Sequence, residues 1–467
     1  LETNPLLLSE EYPPHLHDIE EGGDSFAPEL LPTLYIDVIV CRGGGGHISA
    51  GQEIQRILDG KRTSFLRDGK RITAHYKVRI IFPIDECLQR VDPLQRLTKS
   101  RRRGEDIYNF LLQQGWHRAV ALYAKAGSWF MLNKAEKIGD SLSRYLASEE
   151  RPVPALIIST MPFLNHGFLR AAEKAKIPFL LVPTDLDPTT FFNGFTDTMH
   201  YSRFKLALPT DDALFRLLAM RLGGLASSQM EVLGFPARTG CCKVWTRQQL
   251  ERITRREGLV RGYQTVTVVA GAQGGRSLME HAKALLSLRP PSRGWRLQIN
   301  LCCGKNRKLL EQLRSWLQEE RARLFSRSID RESFLLKSGL LVHLRGYVER
   351  MVELMACSDI LITKTGTCSV MEGVHLALAK VEKPEPLWLL LDNTPHSSAR
   401  HLTWEAVNIP FVERMGVGEG FTDSSELPRL VRARLEGKRS SRKTPPHPLQ
   451  DFARELPRLV AEMLSNS

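Results

Sequence analysis

An apolar run at residues 34–40 opens directly into Cys41-Arg42-Gly43-Gly44-Gly45-Gly46-His47, and residues 49–58 then read as a helix. Strand, glycine turn and helix in this order are the repeating unit of parallel sheets covered on both faces. A second glycine turn, Gly271-Ala272-Gln273-Gly274-Gly275, follows the apolar run 266–270 and precedes an expected helix at 277–286. Two such units, far apart in one chain, predict two open α/β domains facing each other across a cleft. Length agrees, because 467 residues exceed the size at which a single core stops growing.

The expected division is an irregular, acidic and proline-containing segment at 1–30, a first domain at 31–234, a second at 235–435, and a basic linker with a terminal helix at 436–467. Gly234-Phe235-Pro236 marks the passage between domains. Further strands are expected at 77–82, 155–159, 179–183 and 205–209 in the first domain, and at 296–302, 341–344, 360–363 and 387–391 in the second. Residues 116–145 read as one long helix, and 452–464 as a terminal helix bent by Pro457.

A formal charge of +13 favours anionic partners: a nucleotide, a phosphorylated substrate, an anionic membrane surface or nucleic acid. No helix-turn-helix, finger or RNA-recognition motif is readable, so nucleic acid is not an expected partner. No apolar run reaches the roughly 18 to 20 residues of a membrane span. The eight cysteines show no C-x-x-C spacing, and Cys241-Cys242 and Cys302-Cys303 are adjacent pairs poorly placed for a disulfide framework. Reduced thiols predict a cytoplasmic setting. An organellar targeting segment stays open, since the sequence begins with Leu1 rather than Met.

Glycines at a strand end let backbone N–H groups approach a ligand, and a following helix N-terminus favours phosphate. Gly274, Gly275 and Ser277 fit that pattern, as do Gly366, Thr367, Cys368 and Ser369. Together they predict a diphosphate cradle at the edge where open parallel sheets bind ligands. Each loop alone is equally a tight structural turn. Neither loop ends in Gly-Lys-Ser/Thr, and His47 stands where a dinucleotide fingerprint needs a small residue, so ATPase and NAD readings are set aside.

Lys364 and Arg345 are candidate counter-charges for phosphate, and Glu372 is a candidate acceptor for a ribose diol or a plain surface carboxylate. His47 is a candidate general base, since an imidazole titrates near neutrality; phosphate binding or packing are its other readings. Asp185 has three open roles: orienting His47, taking the proton itself, or stabilising positive charge on a sugar ring. His396 and His401 are candidate contacts to sugar hydroxyls. No His, Cys or Asp cluster has the spacing of a closed metal site, so chemistry without a bound metal or tightly bound cofactor is expected.

Several ordered segments resemble the monogalactosyldiacylglycerol synthase and processive diacylglycerol glucosyltransferase family. Gly43-Gly44-Gly45-Gly46-His47-Ile48-Ser49-Ala50 resembles its G-G-G-H-x-x-S-A loop, one residue shorter. Pro183-Thr184-Asp185-Leu186 with Pro188 and Phe191, Val232-Leu233-Gly234-Phe235-Pro236, and Cys303-Gly304-Lys305-Asn306 are similar to three further elements. Arg345-Gly346-Tyr347-Val348-Glu349-Arg350-Met351 resembles R-G-F-x-x-x-M, and the run 362–372 resembles I-T-K-x-G-x-x-T-x-x-E.

The resemblance implies a GT-B fold, two Rossmann-like parallel-sheet domains facing across a cleft, and transfer of galactose or glucose from UDP to diacylglycerol with inversion. It places UDP-hexose in the second domain: uracil near Gly346 and Tyr347, ribose at Glu372, diphosphate over Gly366 to Ser369. It places a lipid acceptor near His47, and a peripheral membrane contact through the first domain, with Arg62, Arg67, Lys70, Arg71, Arg101, Arg102 and Arg103 as candidate basic contacts. One departure stands out. After Pro395 the family carries a Gln-Glu pair on the donor sugar, whereas this chain has His396-Ser397-Ser398. Three readings therefore compete: this transfer, a GT-B transferase acting on another lipid or small acceptor, and an inactive nucleotide-sugar-binding homologue.

Overall fold

The computed structural model describes residues 31–67, 69–89, 91–98, 103–195, 201–271, 275, 277–288, 296–320, 323–328, 331–379, 382–383, 385–437 and 449–465. Segment 1–30, residues 101 and 102, Gly274 and most of the expected linker fall outside them.

The first sheet contains β1 (Thr33–Ile39), β2 (Arg62–Arg67), β3 (Lys70–Ile81), β4 (Leu156–Ser159), β5 (Phe179–Leu181), β6 (Phe204–Leu208) and β7 (Met230–Val232), in the order β2-β3-β1-β4-β5-β6-β7. All its pairings are parallel except the β2–β3 hairpin. Its middle strands are buried on both faces. Val38, Ile158 and Leu180 pack toward Ile54 and Leu58, while Ile39, Ile157 and Leu181 pack toward Phe168 and Leu142. That two-sided burial is why these strands read as unbroken apolar runs rather than alternating ones.

The second sheet contains β8 (Gln264–Val269), β9 (Leu297–Cys302), β10 (Arg323–Arg327), β11 (Arg331–Leu335), β12 (Leu341–Arg345), β13 (Ile360–Thr363), β14 (Trp388–Asp392) and β15 (Gly418–Phe421), in the order β10-β11-β12-β9-β8-β13-β14-β15. It too carries an antiparallel hairpin at one edge, β10–β11. The two sheets, each with helices on both faces, form the GT-B arrangement.

Strand order reverses between β1 and β4 in the first sheet and between β8 and β13 in the second. Connections leave such a switch point in opposite directions and open a crevice at the strand C-termini. His47 follows β1, and the loop Lys364 to Gly366 follows β13, so each sheet delivers its loop to its own crevice.

Strands β7, β10, β11 and β15 were not among those expected, and three further stretches take a form different from the expected one. The basic stretch 62–81 is a full hairpin, where only a strand near 77–82 was expected. The long helix expected at 116–145 is two helices, His117–Asn133 and Ala135–Leu146, separated at Lys134, whose backbone is not helical. Each half has its own partner: the second packs on the helix Asn165–Lys174 through Gly139 and Gly167, while the first covers a cavity described below. The terminal helix Phe452–Ser465 runs through Pro457 and returns to the first domain, where Phe452, Leu456, Leu459, Val460, Met463 and Leu464 complete one face of the core. Six buried apolar side chains, each worth roughly 1.5 kcal/mol or more, outweigh the about 3 kcal/mol cost of an internal proline.

Candidate active site

His47 is the second residue of the helix Gly46–Leu58 and lies half-buried at the crevice. Its Nδ1 is 2.9 Å from the Thr160 carbonyl oxygen and 2.7 Å from Thr184 Oγ1. A carbonyl oxygen can only accept, so the ring proton sits on Nδ1 and Nε2 is left as the free base. Burial pushes the imidazole down to about 4, which keeps it neutral at physiological pH. Thr160 and Thr184 therefore set the ring, and the orienting role held open for Asp185 belongs to them.

Asp185 points instead across the cleft. Its Oδ1 accepts a hydrogen bond from Thr367 Oγ1 at 3.0 Å. Burial raises its carboxyl to about 7, against the lowering effect of that hydrogen bond, with Glu405 and Asp187 adding to the rise. His47 and Asp185 line the same two cavities.

The first cavity, about 170 Å3, is apolar. Ile84, Tyr108, Tyr123, Ala124, Gly127, Met131, Met161 and Leu164 form its walls, with His47, Asp185 and Trp404 at one end. Glu105 also faces it and accepts a hydrogen bond from the Arg42 amide at 2.7 Å; burial pushes its carboxyl up to about 7.

The second cavity, about 290 Å3, lies between the domains. Gly43 to His47, Thr184 and Asp185 form one wall; Gly346, Tyr347, Lys364, Gly366, Thr367, Cys368, Ser369 and Glu372 are on the other. The helix Thr367–Leu378 starts at this cavity, so its unpaired N–H groups and positive dipole end face the space. Lys364 reaches it by passing Gly271, where a Cβ would meet Lys364 Cε at 2.9 Å. The domains touch closely here: a Cβ on Gly46 would meet Cys368 Sγ at 2.8 Å.

Several candidate residues sit differently from expectation. Arg345 is 1 % exposed; its guanidinium donates to Asn300 Oδ1 at 2.9 Å, Glu257 Oε2 at 3.2 Å and the Glu257 carbonyl at 2.7 Å. It is a core ion pair, not a phosphate counter-charge. Glu372 lines the cavity, but its two oxygens accept from Arg238 Nε and Nη2, each at 2.6 Å. One lone pair on each oxygen remains for a further donor. His396 is exposed and outside both cavity linings. Gly275 packs against Ala270 and also lies outside them.

Another carboxylate, Glu405, lies farther along the chain after Pro395 and faces the cleft. Ser397 Oγ turns back to the Asp392 carbonyl, and Ser398 Oγ donates to Glu405. Glu405, on the short helix Thr403–Ala406, is 8 % exposed, lines the second cavity, and holds Lys364 Nζ at 3.8 Å from Oε1. Its neighbour Trp404 lines both cavities and stands where they meet. Arg238, Trp404 and Glu405 were missed in the sequence. The signal for Arg238 was its place two residues after the Gly-Phe-Pro passage; no local signal marks the other two. Among the described residues no group of three or more His, Cys, Asp or Glu side chains is placed to hold a metal ion.

No family model matches the chain. Curated relatives are plant proteins. A probable monogalactosyldiacylglycerol synthase of Glycine max is 25 % identical over 334 residues, covering 69 % of this chain and 54 % of that protein. Monogalactosyldiacylglycerol synthase 2 of Arabidopsis thaliana is 27 % identical over 436 residues, covering 89 % and 77 %. The chain spans about half the length of the first of these. Among solved structures, MurG of Acinetobacter baumannii aligns with TM-score 0.44 and 12 % identity over 92 % of this chain and 94 % of that one. A putative UDP-N-acetylglucosamine 2-epimerase of Listeria monocytogenes aligns with TM-score 0.49 and 11 % identity over 93 % and 98 %.

Proposed function

We propose that this chain is an inverting glycosyltransferase that moves galactose or glucose from UDP to the free hydroxyl of diacylglycerol, forming a β-glycolipid. The observation that carries the reading is the position of His47: a neutral imidazole whose free Nε2 belongs to a ring lining both an apolar pocket and a cleft with a helix N-terminus on its far side. The similarity to plant monogalactosyldiacylglycerol synthases supports the sugar and the acceptor.

In this reading UDP-hexose occupies the second cavity. Gly346 and Tyr347 border the uracil, Glu372 with Arg238 meets the ribose, and the amides of Thr367, Cys368 and Ser369 with Lys364 meet the diphosphate. Glu405 accepts hydroxyls of the sugar, and Trp404 walls the sugar off from the acceptor pocket. The acceptor hydroxyl gives its proton to His47 Nε2 as its oxygen bonds to the anomeric carbon. The carbon–phosphate oxygen bond breaks on the opposite face, which inverts the centre. UDP leaves with the bonding electrons, into a cradle whose fixed donors need little reorganisation. Asp185, when ionised, supplies negative charge beside the electron-poor ring; its other open role, proton acceptance, needs the same ionised form and would show as transfer that survives His47→Ala.

The lipid acceptor is suggested by the wall of the apolar pocket. The helix His117–Asn133 turns Tyr123, Ala124, Gly127 and Met131 inward to the pocket and leaves Leu122 and Trp129 exposed at 70 % and 68 %. Phe110 and Trp116 are exposed beside it and meet edge to face. Exposed Trp and Leu with basic neighbours Arg118 and Lys125 suit an interfacial helix on an anionic membrane. Of the expected basic contacts, Arg103 is paired with Asp85, while Arg62, Lys70 and Arg71 are exposed on the β2–β3 hairpin. Among the described residues no helix is long and apolar enough to cross a membrane.

The test is incubation of the chain with labelled UDP-galactose or UDP-glucose and diacylglycerol liposomes, followed by lipid extraction. Labelled lipid is expected with one or both donors; its absence with both, while UDP still binds, would overturn this transfer and leave the two other readings, transfer to a different acceptor and binding without turnover.

A further inference from the structure

Tyr108, on the helix Gly104–Gln113, lines the apolar pocket and the interdomain cleft alike. Gly43, His47, Asp185 and Trp404 also line both, so these five residues frame the opening from one space to the other. Two of the framing groups are engaged: His47 Nδ1 by Thr160 and Thr184, Asp185 by Thr367. The Tyr108 hydroxyl is not. It has no hydrogen-bond partner among the described residues, and its oxygen is not closed off from solvent. Its ring is seated against the glycine loop, where a Cβ on Gly43 would meet Tyr108 Cδ1 at 3.6 Å. Burial, with Glu405, Asp185 and Cys41 nearby, pushes the phenol up, so the hydroxyl keeps its proton and is a donor at any working pH.

We propose that Tyr108 orients the acceptor: its O–H donates to the oxygen of the acceptor hydroxyl while that hydroxyl gives its proton to His47 Nε2. The inference rests on the transfer reading above. An alcohol oxygen carries one proton and two lone pairs. The proton goes to His47, one lone pair forms the bond to the anomeric carbon, and the other is left to accept. Ionised Asp185 can only accept, so it cannot fill that place. Tyr108 is a donor carried by the same domain as His47, and the two hold the oxygen from two directions at the opening. Tyr108 keeps its own proton throughout, and UDP takes the electrons of the broken bond. A diphosphate contact is disfavoured, because Glu405 and Asp185, the carboxylates acting on Tyr108, would repel it.

The test compares the full chain as wild type and Tyr108→Phe, which removes one oxygen and keeps the ring against Gly43. Transfer from UDP-galactose and UDP-glucose is followed over a range of diacylglycerol in liposomes, and affinity for the same donors is measured by calorimetry. Acceptor kcat/KM is expected to fall by about three- to tenfold, the loss of one hydrogen bond, while UDP-hexose affinity stays within about twofold. Unchanged kcat/KM would overturn the inference. A matching loss of UDP-hexose affinity would overturn it as well, since the hydroxyl would then meet the sugar. A lowered melting temperature with both losses would leave Tyr108 a packing role only. If the wild type transfers to no lipid, the function reading itself falls, and this inference with it; if the wild type transfers and Tyr108→Phe equals it, this inference alone falls.

Discussion

Thr367 Oγ1 donates a hydrogen bond to Asp185 Oδ1 at 3.0 Å, joining the first turn of the nucleotide-side helix to the carboxylate of the other domain. Asn408 Nδ2 donates to the same Thr367 oxygen at 3.0 Å and to the Thr365 carbonyl at 2.6 Å, so the threonine is held from behind while its proton points across the cleft. The bond opposes the burial that raises Asp185. Thr367→Val removes the donor but keeps the shape. It is expected to move the ionisation of Asp185 upward by about one pH unit, the equivalent of one hydrogen bond of ~1 kcal/mol. The pH–rate profile of the variant checks this; an unmoved acid limb would mean that the contact does not persist during turnover.

The two candidate bases predict different profiles. His47 titrates near 4, so it is already neutral and able to accept a proton at pH 5. Asp185 titrates near 7, so its ionised form is lost as pH falls through neutrality. If the ionised Asp185 is needed, kcat/KM drops below pH 7. In Asp185→Asn that limb is expected to vanish, leaving a lower rate that stays level down to about pH 5. A wild-type limb that survives in Asp185→Asn would assign it to another group, with Glu105, also near 7, as the next to replace.

His47→Ala is expected to lower turnover by about 10²–10⁴-fold, the usual range for a general base, with UDP affinity unchanged. Single-turnover rates and calorimetry separate the two quantities. Retention of full transfer would remove His47 from the chemistry.

What could be read in the sequence follows from locality. The units at 34–58 and 360–378 were legible because a two-sided buried strand is an apolar run and the turn after it is glycine-rich within a few residues. The β2–β3 hairpin was not: an edge strand rich in Lys and Arg carries no apolar run, and β15, with two glycines in four residues, carries little strand signal at all. Charged side chains were the hardest. Arg345 looks like a phosphate ligand until Glu257, 88 positions away, is seen beside it. Glu372 looks free until Arg238, 134 positions away, closes on it. Ser397 and Ser398 suggested a missing sugar contact, because nothing local shows that both turn inward while Glu405 faces the cleft.

Asp185 also sets a stability test. Its carboxyl sits near 7 in the folded chain and near the ordinary 3.8 when unfolded. Between those values the folded state binds the extra proton, so its burial weakens the fold progressively as pH rises from about 4 to 7. Asp185→Asn removes that penalty. Because the side chain is partly open to solvent, the gain is put at about 1–2 kcal/mol above pH 7, shrinking toward zero near pH 4. Thermal melts at both ends of the window decide it; a gain independent of pH would point to packing instead.

The Arg345–Glu257 pair gives the opposite outcome from a ligand contact. Arg345→Ala leaves Oε2 of Glu257, a residue 8 % exposed, facing a cavity without its partner, while Arg256 still pairs with Oε1 at 3.0 Å. Breaking a buried pair from one side costs about 3–5 kcal/mol, so the variant is expected to melt well below the wild type. Arg345→Met, which fills the space, combined with Glu257→Gln, is expected to recover much of that loss. Lys364→Ala should do the reverse: near-normal melting, and a several-fold weaker grip on UDP through the loss of a cation lining the cleft. If Arg345→Met with Glu257→Gln folds normally but no longer binds UDP, then Arg345 serves the nucleotide after all, reaching it through a rearrangement of the strand end that the closed, paired geometry does not contain.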